Sequence, residues 1–327
     1  MDRDANLEAG LDVTAAVVLG GIVLLILIGA IANAESIVRV RGQRRCPDTR
    51  GEAERVARET GCEWEEAETR SREGLRLRGW LFQPSCWNGE AVVVLHGFTD
   101  SAKGMLAHAG MLLRKGYAVL TPDSRGHGRS EGDLVHFGLR EADDFRLWGD
   151  WLCRRLGIYG FHVIGQSMGA AVVLQALSRE MSRERRVRAV VAESPFYSFP
   201  EVALDRLAMR LRLPRRVLKP MLWAGIAYCR LRYQINLRQA RPIDHLAGAS
   251  RVLLIHGLAD RSIPPRHSRV LHAAHRDRTE LWEIAGIGHV EGLERKPQEY
   301  ERRVIGFLDS VSRERAGNQP VDAARLG

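Results

Sequence analysis

Short apolar runs alternate with helical segments through most of the chain, and this order constrains the fold more than any other feature. Five runs are apolar at nearly every position: AVVVLHG at 91–97, YAVLTPD at 117–123, FHVIGQS at 161–167, VRAVVAES at 187–194 and RVLLIHG at 251–257. Such runs are typical of strands that are buried on both faces, as in parallel sheets. Because helical patterns separate them, the sequence predicts an α/β fold with a mostly parallel central sheet and helices on both faces.

Residues 13–34 carry no charge over 22 positions, which is long enough to cross a bilayer as one helix. Ala32-Asn33-Ala34 also fits a signal-peptidase site, so a cleaved signal peptide is the alternative. The segment before this run is acidic, whereas basic residues follow it: Arg39, Arg41, Arg44 and Arg45. This order favours an uncleaved single-pass anchor with residues 35 onward in the cytoplasm. Cleavage near Ala34 would instead give a secreted or periplasmic domain.

Further segments complete the α/β domain. EWEEAET (63–69) and LRLRGWLF (75–82) predict a hairpin, TELWEIAG (279–286) predicts a last strand, and 297–313 predicts a last helix. Residues 195–245 show helical patterns only and are interpreted as a lid insertion. The predicted organisation is an N-terminal tail at 1–12, a transmembrane helix at 13–34, a juxtamembrane connector at 35–60, the α/β domain at 61–312 and a C-terminal tail at 313–327.

Composition excludes some partners and cofactors. The chain has 49 Lys and Arg against 40 Asp and Glu, a formal net charge of +9, and the two signs are interspersed. No zinc-finger or RNA-binding signature occurs, so no nucleic-acid partner is expected. The five cysteines are widely spaced and form no C-x-x-C pair, which argues against a structural zinc site. The sequence does not indicate which oligomeric state the protein adopts.

The stretch IGQSMGAA (164–171) places one serine between two glycines, at the end of a predicted strand and the start of a predicted helix. A strand-to-helix turn this sharp leaves no room for side chains two positions either side of its central residue, which explains Gly165 and Gly169. This is the pattern of a nucleophile elbow, G-x-S-x-G. It would lift the Ser167 hydroxyl above the sheet and point the amide of Met168 toward the same spot.

A serine nucleophile needs a base, and the base needs an acid that orients it. His289 lies in the glycine-rich loop GIGHVEG after the last strand, and Asp260 follows the strand RVLLIHG, so both occur in the expected order after Ser167. Glu193, at the end of an earlier strand, is the alternative acid. HGFTDS (96–101) leaves a buried strand in a glycine turn, so the amide of Phe98 is the second candidate donor for an oxyanion.

Five motifs in order, HGFTDS, DSRGHGRSEG, GQSMGAA, GLADRSIP and GHVEG, resemble the serine-hydrolase branch of the α/β-hydrolase fold, near the monoacylglycerol-lipase, serine-aminopeptidase and Bem46-like enzymes. The resemblance covers roughly residues 61–312. It implies Ser167, Asp260 and His289 as a catalytic triad, with Phe98 and Met168 as oxyanion donors. It also implies that neither a metal nor an organic cofactor takes part.

The resulting expectation is a membrane-anchored hydrolase of carboxylic esters, including lipid acyl esters, that works through an acyl-enzyme intermediate. The alternatives are a peptidase of the serine-aminopeptidase type and a non-catalytic α/β-hydrolase scaffold. The substrate's acyl and alcohol groups are not predicted, because this fold hosts many chemistries.

The lid sequence adds a hypothesis about lipid. MLWAGIAYC (221–229) is apolar nearly all round, and Pro214 and Pro220 are expected to interrupt the helical pattern before it. Basic residues are interleaved with the apolar ones: Arg206, Arg210, Arg212, Arg215, Arg216 and Lys219. We therefore expect a lid that binds acyl chains and contacts anionic lipid.

Overall fold

A computed structural model describes residues 2–39, 49–177, 186–246 and 250–317 of the 327-residue chain. Arg41, Arg44, Arg45 and most of the predicted C-terminal tail lie outside these ranges. The strands are β1 Cys62–Arg70, β2 Arg76–Pro84, β3 Ala91–Leu95, β4 Ala118–Pro122, β5 Phe161–Gln166, β6 Val187–Glu193, β7 Arg251–Gly257 and β8 Thr279–Ile284. The α-helices are α1 Asp2–Val38, α2 Arg50–Thr60, α3 Leu106–Leu113, α4 Glu141–Leu156, α5 Met168–Ala176, α6 Phe199–Leu211, α7 Arg215–Tyr233, α8 Arg266–Ala274, α9 Gly292–Arg295 and α10 Pro297–Gly317.

The eight strands form one sheet in the order β1-β2-β4-β3-β5-β6-β7-β8. The first two strands pair as the predicted hairpin, and β2 runs antiparallel to β4. Every pairing from β4 to β8 is parallel. All five residues of β3 and β4 are buried, because helices cover both faces of the sheet. The predicted α/β architecture is confirmed.

The core consists of two apolar clusters, one on each face of the sheet. One cluster joins α4, α5 and the lid helices, and the other joins α2, α3 and α10. Ala53 and Val56 of α2 belong to the second cluster, so the later part of the predicted connector packs onto the α/β domain.

The segment after β6 is helical, as predicted, and consists mainly of α6 and α7. Pro214 lies between these helices, but Pro220 lies inside α7, so the expectation that it interrupts the helix is wrong. Pro220 is the sixth residue of α7, and its missing N–H removes a single hydrogen bond near the helix start. The helix nevertheless continues through this position to Tyr233.

The N-terminal helix α1 is 37 residues long and contains the predicted span. Within it, Val17–Val38 is long and apolar enough to cross a membrane by length and composition, with a mean hydropathy of 2.6. Its apolar residues from Val17 to Ile28 are mostly exposed, whereas Ala30, Ala34 and Val38 are buried against the rest of the protein. The helix thus has a free apolar part and a docked C-terminal part.

Candidate active site

Ser167 stands at the turn between β5 and α5 with φ 53° and ψ −113°, a strained conformation for a residue with a side chain. The flanking glycines make this turn possible. A Cβ on Gly165 would lie 2.7 Å from the Ala170 amide nitrogen, and one on Gly169 would lie 2.5 Å from the Leu95 carbonyl oxygen. No other residue fits at either position, as the sequence predicted.

Three side chains from separate loops form a hydrogen-bonded chain at this turn. His289 Nε2 lies 3.0 Å from Ser167 Oγ, and His289 Nδ1 lies 2.7 Å from Asp260 Oδ2. Asp260 follows β7 and His289 follows β8, so each reaches the serine from the carboxyl end of its strand. The structure therefore brings together the three residues that the sequence singled out.

Asp260 is fixed in place by its surroundings. Its Oδ1 accepts hydrogen bonds from the amides of Ser262 and Ile263, both at 2.9 Å. Burial alone would raise the pKa of this carboxyl, but hydrogen bonds from His256, His289 and the Ile263 amide outweigh it and hold the pKa well below its usual value. The carboxylate is therefore ionised near neutral pH and faces the imidazole with Oδ2.

Glu193, the alternative acid, makes other contacts. Its Oε1 accepts a hydrogen bond from the Gly292 amide at 2.9 Å, and its Oε2 accepts from Gln166 Nε2 at 2.9 Å and from the Tyr300 hydroxyl at 3.0 Å. Burial raises the pKa of Glu193, and these hydrogen bonds oppose the shift only in part. Glu193 thus ties β6 to the segment that follows His289, and Asp260 is the carboxylate that contacts the imidazole.

The loop after β3 lies against Ser167, where an oxyanion donor is expected. A Cβ on Gly97 would be 3.4 Å from Ser167 Cβ, and Phe98 and Met168 line the same pocket as the serine. Met168 is the first residue of α5, so its amide is one of the free N–H groups of a helix start. Both predicted donor residues are therefore next to the hydroxyl.

Buried histidines hold this loop in position. His96 Nε2 accepts a hydrogen bond from the Ser124 amide at 3.0 Å, and His127 Nε2 lies 2.8 Å from the Phe98 carbonyl oxygen. Burial lowers the pKa of His96, which favours the neutral ring that this contact needs. Asp123 accepts hydrogen bonds from the amides of Ala102 and Arg129, so it ties together the loops that follow β3 and β4.

Above Ser167 is a pocket of about 520 Å³. Its walls are mostly apolar and come mainly from the loops after β3 and β4, from α6 and from α1. They include Phe98, Phe137, Phe199, Val202, Ala203, Leu207, Arg206, Arg210, Asn33, Ser36 and Ile37. The three residues from α1 had not been expected there. No motif marks them, because the anchor and the elbow are more than 120 residues apart in the sequence.

Comparisons with known proteins support the same fold. A family model described as alpha/beta hydrolase fold matches residues 90–225. The uncharacterized protein YfhR of Escherichia coli (strain K12) is 25% identical over 76% of this chain and 81% of its own length. The lysophosphatidylserine lipase ABHD12 of Danio rerio is 28% identical over 43% of this chain and 35% of its own length.

Among solved structures, an esterase from Pyrococcus furiosus superposes with a TM-score of 0.63 and 23% sequence identity, covering 78% of this chain and 93% of the esterase. At this identity the likeness concerns the fold. The eight-stranded sheet, the strained serine between β5 and α5 and these matches together show that the chain has the α/β-hydrolase fold.

Proposed function

We propose that this protein is a membrane-anchored serine hydrolase that cleaves carboxylic esters through an acyl-enzyme intermediate. The observation that carries the proposal is the hydrogen-bonded chain from Ser167 through His289 to Asp260 at the base of an apolar pocket. A relative whose name is that of a lysophosphatidylserine lipase supports an acyl ester as the substrate class.

The first half of the reaction acylates the serine. His289 Nε2 takes the proton of Ser167 Oγ as the oxygen attacks the ester carbonyl carbon, and Asp260 stabilises the imidazolium that forms. The carbonyl oxygen becomes an oxyanion, which accepts hydrogen bonds from the amides of Phe98 and Met168 in this proposal. When the oxyanion collapses, the C–O bond to the alcohol breaks and His289 returns the proton to the departing alcohol.

The second half removes the acyl group with water. His289 takes a proton from a water molecule, whose oxygen attacks the acyl carbon. The bond between Ser167 Oγ and the acyl carbon then breaks, the serine regains its proton from His289, and a carboxylic acid leaves. His289 carries the proton in both halves of the reaction. The proposed cycle therefore uses only Ser167, His289, Asp260 and the two backbone amides.

A peptidase of the serine-aminopeptidase type is the second enzyme hypothesis. Such an enzyme needs a carboxylate to hold the free amine of its substrate. Among the described residues that line the pocket there is no Asp or Glu, whereas Arg206 and Arg210 are present. The sign of the charge therefore favours an ester or an anionic amphiphile over an amine.

A fluorophosphonate probe tests the proposal against a non-catalytic scaffold. The detergent-solubilised full-length chain should be labelled at Ser167, and the Ser167→Ala variant should not. A panel of p-nitrophenyl esters from acetate to palmitate then tests the reaction class. Absence of both labelling and ester hydrolysis in a folded protein would refute the proposal.

A further inference from the structure

The last turns of α1 form part of the wall of the pocket above Ser167. Asn33 and Ile37, one turn apart on the same helix face, line this pocket opposite residues of α6 such as Phe199 and Ala203. Ala34 and Val38 are buried, so the turns that carry them are packed into the protein. A helix that is apolar enough to cross a bilayer therefore ends at the wall of the pocket above Ser167.

Close packing against α7 holds α1 in this place. A Cβ on Gly225 would lie 3.3 Å from the Ala30 carbonyl oxygen and 3.8 Å from Ala34 Cβ, so small residues bring the two backbones together. The hydroxyl of Tyr228 donates a hydrogen bond to Glu35 Oε1 at 2.6 Å. Tyr233 donates to the same oxygen. The contact combines close backbone packing with two hydrogen bonds to Glu35.

The register of this contact gives the direction of α7. Gly29 faces Met221, Ala30 and Ala34 face Gly225, and Glu35 contacts Tyr228, so residue numbers rise together along both helices. The two helices therefore run in the same direction. Residues of α7 before Met221 must lie on the side of Gly29 toward the free, apolar part of α1.

The connection between α6 and α7 is consequently on the same side of the docked contact as that apolar part. It exposes Leu211 at 42%, Leu213 at 46% and, in the first turn of α7, Val217 at 62%. Exposed cations surround these residues: Arg212, Arg216 and Lys219. Apolar side chains interleaved with cations are typical of a surface that enters the interfacial region of a bilayer. Arg215 differs, because it pairs with Glu201 and Asp205 within the protein.

We infer that α1, α6 and α7 form a lateral portal through which the acyl chain of a bilayer-embedded ester passes from the membrane to Ser167. The inference rests on the proposed function and names its substrate class, an ester of a medium-length or long fatty acid that is taken directly from the adjoining leaflet. The anchor is then a wall of the substrate site as well as a tether. Small soluble esters reach Ser167 without using this wall.

The first experiment tests whether α1 is docked as described. The 3.8 Å between Ala34 Cβ and a Cβ at position 225 matches the Cβ separation of a disulfide, so the double variant Ala34→Cys/Gly225→Cys should cross-link under mild oxidation. A specific protease site inserted after Gln43 allows detection, because the N-terminal fragment stays attached until the disulfide is reduced. The single variants are the controls. Two reactive cysteines that fail to cross-link would overturn the docking.

The second experiment tests the portal with a matched pair of variants in lipid nanodiscs. Ile37→Trp places a bulky ring in the pocket wall, whereas Ile28→Trp places it on the same helix at a position that is 54% exposed. Ile37→Trp should lower the ratio of kcat/KM for a dodecanoyl ester to that for an acetyl ester at least tenfold. Ile28→Trp should leave this ratio unchanged.

The outcomes separate the two proposals. If fluorophosphonate still labels Ser167 in Ile37→Trp and the chain-length ratio equals that of the wild type, the portal is refuted and the proposed function stands. If the wild type neither reacts with the probe nor cleaves any ester, the proposed function itself fails. A fall in the ratio with Ile28→Trp as large as with Ile37→Trp would also overturn the portal, because it would show a general effect of the ring on the membrane segment.

Discussion

Two buried carboxylates lie near the His289 loop, and replacing each by its amide tests which one orients the imidazole. Asp260 Oδ1 accepts two backbone amides, and Oδ2 faces His289 Nδ1 at 2.7 Å. In Asp260→Asn the remaining carbonyl oxygen must keep facing the amides of Ser262 and Ile263. The new NH₂ group then points at His289 Nδ1, which must act as an acceptor.

This geometry fixes the wrong tautomer. With Nδ1 unprotonated, the ring proton sits on Nε2, which faces Ser167 Oγ at 3.0 Å and can no longer take its proton. A neutral amide also gives no electrostatic support to an imidazolium. Loss of the orienting acid in such triads costs about 10⁴-fold in kcat, or about 5 kcal/mol of transition-state stabilisation.

Glu193→Gln is the matched control. Its carbonyl oxygen can still accept the Gly292 amide, and the change perturbs only the contacts to Gln166 and Tyr300. Contacts of this kind contribute about 1 kcal/mol each, so loss of both would cost about 2 kcal/mol, or about thirtyfold at most. Initial rates on p-nitrophenyl butyrate, with thermal melting as the folding control, measure both variants. A larger loss from Glu193→Gln than from Asp260→Asn in folded proteins would refute the assignment of the acid.

Four further predictions follow from the same geometry. Ser167→Ala should lower kcat by about 10⁴-fold or more at unchanged melting temperature, measured with the same ester. Gly169→Val should give no folded protein by circular dichroism, because even a Cβ there would lie 2.5 Å from the Leu95 carbonyl oxygen. Glu141→Ala should lower the free energy of unfolding by about 1–3 kcal/mol in urea titrations, since it leaves the buried amides of His136 and Gly138 without their acceptor. The full-length chain should sediment with membranes and retain residues 1–34 by mass spectrometry, and its α/β domain should be protected from protease added outside the cell.

The parts of the site that could be predicted from the sequence follow from backbone sterics and chain order. Gly165 and Gly169 flank the serine because any Cβ there would collide with backbone atoms, so the turn is visible in the sequence as a pattern. Parallel strands end at one edge of a sheet, which brings Asp260 and His289 to Ser167 once the apolar runs are recognised as strands. Rules of this kind depend on few residues and need no knowledge of side-chain packing.

The same rules distinguish less clearly between Asp260 and Glu193 as the acid that orients His289. Both follow buried strands, and both lie at the same edge of the sheet. What separates them is the length and path of each loop, which decides that Oδ2 of Asp260 contacts His289 while Glu193 turns toward Gly292 and Tyr300. Loop paths depend on many weak contacts, so no short motif records them.

The docking of α1 against α7 could not be predicted from the sequence, for a related reason. Small residues such as Gly29, Ala30, Ala34 and Gly225 look ordinary in apolar segments, and their meaning depends on which helices meet. The structure supplies that partner and thereby bears on the choice between an anchor and a cleaved signal peptide. Cleavage after Ala34 would remove Asn33 from the pocket wall, expose the groove at Gly225 and leave Glu35 as a charged chain end beside Tyr228. Because the pocket wall and the packed contact with α7 both use residues on either side of that peptide bond, cleavage there would dismantle both, and mass spectrometry of the mature N-terminus tests which form exists.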